Sequence, residues 1–151
     1  MKTTWLKRAV PWALYDWANS AFATTVMAAF VPIFNKDFWS AGAADTVSTF
    51  RLSVASSTAA IIVALLAPVL GAIADRGGAK KRFLACFAGL GALATAGLAL
   101  AGQGQWALAL TLYVVAWIGF AGANVFYDSL MMSVAESDKF DVVSALGYSL
   151  G

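Results

Sequence analysis

The chain has 151 residues, 61 % of them hydrophobic and 12 % charged, with a mean hydropathy of +0.76. Water-soluble domains carry about 25 % charged residues, so this chain has too little charge to clothe a soluble globule, and that class is excluded. A net charge of +2 is too small and too scattered for a nucleic-acid partner, and one cysteine with no histidine removes disulfide pairing and the usual zinc, haem and imidazole chemistry.

Charged residues fall in clusters between long neutral stretches, the pattern of membrane spans joined by short loops. The first span is expected over residues 10–34, between Arg8 and Lys36, with Asp16 as its one charge. A basic start followed by Ala21-Phe22-Ala23 resembles a signal peptide, but Asp16 and Asn19 interrupt the apolar region and the apolar stretch runs on to Phe34, so it is taken as a span. The second span is expected over 52–74. The uncharged stretch from Phe83 to Tyr127 is too long for one crossing. Gly102-Gln103-Gly104-Gln105 divides it into spans at 83–101 and 106–127. A further apolar run, 142–151, covers half a bilayer and reads as an incomplete fifth span. These runs lack the alternation of barrel strands, so the spans are helices.

Basic residues set the orientation. Lys2, Lys7 and Arg8 precede the first span, and Arg76, Lys80, Lys81 and Arg82 lie between the second and third. Both regions are expected in the cytoplasm, in a multi-pass protein of the cell membrane. The fourth connection follows on the same side, although its acids outnumber its base. Trp5 and Trp12 suit the inner interface, Trp39 and Trp106 the outer one.

On a helix Asp16, Asn19, Ser20 and Ala23 form one polar, small-residue stripe. A carboxylate facing acyl chains costs about 2.5–3.5 kcal/mol or more. The stripe is therefore expected to face protein or water, where Asp16 binds a proton, a cation or a polar solute, or simply bonds to neighbouring helices. Ala67-Pro68 and Gly71 are expected to loosen the second helix, chiefly as a packing device, and Gly71 to admit a neighbouring helix. The third span is rich in small residues for tight packing, from Gly89 and Gly91 to Gly97 and Ala99. In the fourth, Gly119, Gly122 and Ala123 offer a close-packing surface, Asn124 and Asp128 share a face, and Asp128 is expected at the solvated cytoplasmic interface. Asp75 can accept hydrogen bonds from a neighbouring helix N-terminus. No catalytic, nucleotide-binding or metal-binding constellation is present, and no cofactor is expected.

The connection Gly71-x-x-x-Asp75-Arg76-x-Gly78-x-Lys80-x-Arg82 resembles the signature loop of the major facilitator superfamily, with Ala79 in place of an expected basic residue. Tyr15-Asp16-Trp17-Ala18-Asn19-Ser20-Ala21-Phe22-Ala23-Thr24-Thr25 resembles the opening of that superfamily's vacuolar amino-acid-effluxer-like branch, and residues 143–151 resemble the start of its fifth span. The resemblance implies an all-α membrane protein, four spans plus the start of a fifth, forming the N-terminal part of a twelve-helix secondary transporter whose C-terminal portion is missing. It implies a small polar solute, such as an amino acid, moved by alternating access without ATP. Substrate or ion candidates are Tyr15, Asp16, Asn19, Ser20 and Asn124. Gly71, Asp75, Arg76, Gly78, Lys80, Lys81 and Arg82 are expected to act as a cytoplasmic gating latch. The fourth span lacks the Arg found in many proton antiporters of the superfamily, which weighs against that route. Two other readings compete: a four-span multidrug exporter working as a dimer, and a membrane scaffold subunit without transport activity.

Overall fold

A computed structural model describes residues 6–75 and 78–134, with side-chain surroundings from Val10 to Met131. Arg76, Gly77 and everything after Val134, including the apolar run 142–151, lie outside the described residues. Within them the chain forms four rods long and apolar enough to cross a bilayer. We label these α1 (6–39), α2 (Asp45–Asp75), α3 (Lys80–Gly97, extended by a tight turn at Leu98–Leu100) and α4 (Trp106–Val134).

Several rods outrun the apolar stretches that suggest them, α4 among them, which passes the expected end at Tyr127 through Asp128 to Val134. α1 continues through Lys36 and Asp37 to Trp39, and α2 begins at Asp45, so the connection shrinks to 40–44, turning at Gly42 with φ +82°. A charge marks where hydrocarbon ends. It does not end a helix, because backbone hydrogen bonds run on into the headgroup region and a terminal Lys can extend its ammonium to water. Asp45 sits in the first turn of α2, where the helix dipole favours an anion.

α1 is not uniformly wound. Its Leu6–Ala21 portion is α-helical, Phe22–Phe30 is π-helical, Val31–Phe34 is α-helical, and Asn35–Trp39 is π-helical again. The Val31 amide donates to the Val26 carbonyl, five residues back. Pro32 gives a local cause: it has no amide to donate and its ring crowds the carbonyl four residues earlier, so the turn before it winds wider. α2 runs unbroken through Pro68.

The core lies where α4 packs on α3 and α2, its most extensive contacts. A Cβ built on Gly119 would lie 2.5 Å from the Gly91 nitrogen and 2.8 Å from the Phe87 carbonyl oxygen, and one on Gly122 would strike the Phe87 ring. These glycines let two backbones touch, as small residues do between membrane helices. Phe126 fills the adjoining space, stacked on Phe83 at 5.1 Å and on Phe87 at 6.0 Å between ring centroids, against Leu70 and Ala74 of α2. Gly71 takes no part in such an approach: a Cβ there would meet nothing within 4 Å among the described residues.

At the Trp39 end a second cluster joins Val31, Trp39, Ala55, Ala101, Ala109 and Tyr113. Trp39, expected at the membrane interface, is buried, and its indole Nε1 donates to the Ala101 carbonyl at 3.2 Å. The buried Asn35 amide donates to the Ser48 carbonyl at 2.8 Å, tying α1 to α2. The Arg51 guanidinium lies 4.1 Å from the centre of the Trp106 ring. The outward surface is apolar, with Leu65 72 % and Leu93 75 % exposed, as acyl chains require and water would penalise.

Candidate site along helices one and four

α1 meets α4 at a few points, and these carry most of the chemistry of the candidate site. Near its start, the Trp12 ring stacks on Tyr127 at 4.5 Å, tilted by 8°, and its Nε1 donates to the Tyr127 carbonyl at 3.2 Å. Tyr15 also stacks on Tyr127, with 5.2 Å between ring centroids. One turn on, the Asn19 amide donates to the Asn124 side-chain oxygen at 2.6 Å. Phe22 against Phe120, at 5.0 Å, closes the series. Tyr15, Asn19 and Phe22 recur at helical spacing, so one face of α1 does all the touching.

The expected candidates divide between two flanks of α1. Tyr15 and Asn19 are on the face toward α4, half-buried, and the Tyr15 hydroxyl is buried without a hydrogen-bond partner among the described residues. Asp16 and Ser20 are half-buried on the adjacent flank, and the Ser20 carbonyl accepts the Thr24 hydroxyl at 3.0 Å. Asn124 is half-buried and paired with Asn19. Asp128 is exposed, and its carboxylate lies within Coulombic reach of Asp16. Asp16 and Asp128 thus belong to the same end of the α1–α4 seam.

Beside this seam runs a groove of about 670 Å³ walled by α1, α3 and α4. Tyr15, Asn19, Phe22 and Thr25 form its α1 side, facing Ala92 and Thr95 of α3. Asp16, Ser20 and Asn124 are not in its wall.

The motif between α2 and α3 is partly described. Asp75 ends α2, exposed; Gly78 and Ala79 make the turn; Lys81 and Arg82 are exposed in the first turn of α3. Lys80 reaches sideways, its Nζ donating to the Ser129 carbonyl of α4 at 3.2 Å. It therefore couples the motif to the same end of α4 that carries Tyr127 and Asp128. Arg76 lies outside the described residues.

Trp12 and Tyr127 are the contributors that sequence reasoning left out of the site. No spacing rule links residues 115 positions apart. A tryptophan near a span end is adequately explained as an interface anchor.

Four apolar rods, two of them close-packed through glycines and two joined by paired polar side chains, define a multi-pass α-helical membrane protein. The family model described as vacuole effluxer Atg22 like matches residues 6–141, nearly the whole chain, so the chain belongs to that family. It is 40 % identical over 152 aligned residues to the uncharacterized MFS-type transporter YxiO of Bacillus subtilis (strain 168). The match covers all of this chain and 36 % of that relative, so the chain spans about a third of its length. No solved structure matches. The chain is thus of a membrane-transporter family of major facilitator type.

Proposed function

We propose that this chain forms the N-terminal part of a secondary transporter that carries a small polar solute, an amino acid or a close analogue, outward across the cell membrane by alternating access. The family description names an effluxer, and the chain's opening string resembles the amino-acid-effluxer-like branch. The observation that carries the solute reading is the Asn19–Asn124 amide pair, with the half-buried Asp16 one turn before it on α1. Polar groups deep in a membrane bundle are costly and mark solute or ion paths.

In this reading Tyr15, Asp16, Asn19, Ser20 and Asn124 contact the solute or its coupling ion. Asp16 supplies charge for an ammonium group or cation, and the two amides supply paired donors and acceptors. Gly71, Asp75, Arg76, Gly78, Lys80, Lys81 and Arg82 form the latch at the cytoplasmic end, with Lys80 holding α4 in one of the two rocked states. The N-terminus lies in the cytoplasm, because the basic residues cluster at that end.

The test is flux of radiolabelled amino acids in vesicles holding the full-length transporter, comparing wild type with Asp16→Asn and Asn19→Ala. Inserted variants that lose most of the flux support the reading. Wild-type flux in both overturns it, and a scaffold role then explains the polar stripe better.

A further inference from the structure

Arg51 is a cation held in place with no anion beside it among the described residues. It stands in the second turn of α2, roughly 9 Å along the axis from Asp45 and at the end of the bundle where Trp106 opens α4. Its guanidinium lies over the Trp106 ring, 4.1 Å from the centroid, a cation–π contact that positions the group without using its N–H donors. One donor is engaged among the described residues: Nη1 reaches the Ser40 hydroxyl oxygen at 3.4 Å, a long bond. Asp45, the acid nearest along its own helix, is already held by Lys36 at 2.9 Å. A half-buried guanidinium with an open donor edge suits a phosphate or carboxylate taken through two parallel bonds.

The face of α2 beneath Arg51 selects between these anions. Val54, Thr58, Ile61 and Leu65 follow on one stripe of the helix, and all are exposed. The Thr58 hydroxyl donates to the Val54 carbonyl at 2.8 Å, so it needs no polar surroundings. Val54 to Leu65 measures roughly 16 Å along the axis, close to half of a hydrocarbon core about 30 Å thick. The other exposed flank of α2 differs: Ser53, Ser57, Ala60 and Ala64 are small, the kind of residue that membrane helices present to other helices. The Arg51 flank has the bulk that acyl chains pack against. Lys36, Asp37 and Asp45 mark the headgroup level at this end, and the exposed Trp106 suits it. From just below that level the long Arg51 side chain can carry its charge up to a lipid phosphate.

We propose that Arg51 binds the phosphate of a membrane glycerophospholipid, with Trp106 steadying the guanidinium and one acyl chain lying along Val54, Thr58, Ile61 and Leu65. None of these residues belongs to the solute path or to the cytoplasmic latch, so the site stands or falls independently of the transport reading.

The experiment uses the full-length transporter, purified in a neutral detergent and stripped of lipid. It is titrated with phosphatidylglycerol, or with a diacylglycerol carrying the same chains, and bound lipid is counted by native mass spectrometry. The wild type is expected to hold phosphatidylglycerol about tenfold more tightly than diacylglycerol, the margin of a charge-assisted pair. Arg51→Met is expected to lose most of that margin, and Arg51→Lys, which keeps the charge without the fork, a large part of it. Two replacements guard against one failing to insert. Ile61→Ser combined with Leu65→Ser should weaken the long-chain lipid more than its dioctanoyl form. Lys36→Met, at the same end, should change binding little, as an exposed charge does. Equal binding of the two lipids by wild type, or wild-type binding in both Arg51 variants, would overturn the proposal. A loss in Lys36→Met as large as in Arg51→Met would reduce the effect to surface charge, with the same consequence. Displacement of the lipid by inorganic phosphate would make Arg51 a free-anion site, and displacement by amino acids a solute site, each against the proposal.

Discussion

Replacing Gly119 by alanine tests the backbone contact on which the bundle is built. The added carbon would lie 2.5 Å from the Gly91 nitrogen, 2.7 Å from its Cα and 2.8 Å from the Phe87 carbonyl oxygen. All three are backbone atoms of α3, so no rotamer change relieves the clash. Restoring ordinary contact at about 3.5 Å moves one helix roughly 1 Å away from the other, and overpacking of that kind costs about 1–3 kcal/mol. The shift also loosens the Phe83, Phe87 and Phe126 stack that the approach holds together. For a chain of this size each kcal/mol corresponds to about 2–4 °C, so Gly119→Ala is expected to lower the Tm by roughly 2–12 °C. Gly71→Ala is the matched control: the same change, in a helix, with nothing among the described residues within 4 Å of the new carbon. Thermal unfolding of detergent-purified protein, followed by tryptophan fluorescence, reads both. A Gly119→Ala Tm equal to wild type, or a Gly71→Ala loss as large, would refute the reasoning that α3 and α4 meet at their backbones.

Asn35→Ala removes the buried amide that ties α1 to the Ser48 carbonyl and accepts from the Ser40 hydroxyl, bonds worth about 0.5–1.5 kcal/mol each; the same assay should show a drop of several degrees. The Lys36–Asp45 pair, 2.9 Å apart but well exposed, adds little by comparison, so Asp45→Asn should leave the Tm unchanged. Asn19→Ala and Asn124→Ala should each destabilise by about 1 kcal/mol, with the double variant costing little more than either single one, the signature of a shared hydrogen bond. Lys80→Met, which withdraws the donor from the Ser129 carbonyl, should change the flux rate of the full-length transporter far more than its thermal stability.

The helical class and the number of crossings among the described residues were legible because hydropathy and length are local properties: a run of some twenty uncharged residues can satisfy its backbone in a bilayer only as a helix. Gly119 and Gly122 were readable as a packing surface for a related reason, since a residue without a side chain offers a membrane helix closeness and little else. The helix ends were less legible. Lys36 and Asp37 terminate the apolar stretch, yet the α1 rod passes through them, because charge reports the position of the water boundary while backbone geometry decides where a helix stops.

Partnership was the part that only three dimensions could supply. Asp16, Asn19 and Ser20 share a stripe on any helical wheel, but it took the placement of α4 to give Asn19 to Asn124 and to leave Asp16 on the neighbouring flank. Trp39 reads as an interface residue until the turn at Ala101 comes within reach of its indole. Composition alone determined that this polypeptide dissolves in lipid as helices, because burying uncharged side chains and pairing every amide are requirements each segment meets by itself. Which side chains then find one another depended on how four rods cross, a matter of contact between residues far apart along the chain that no local pattern encodes.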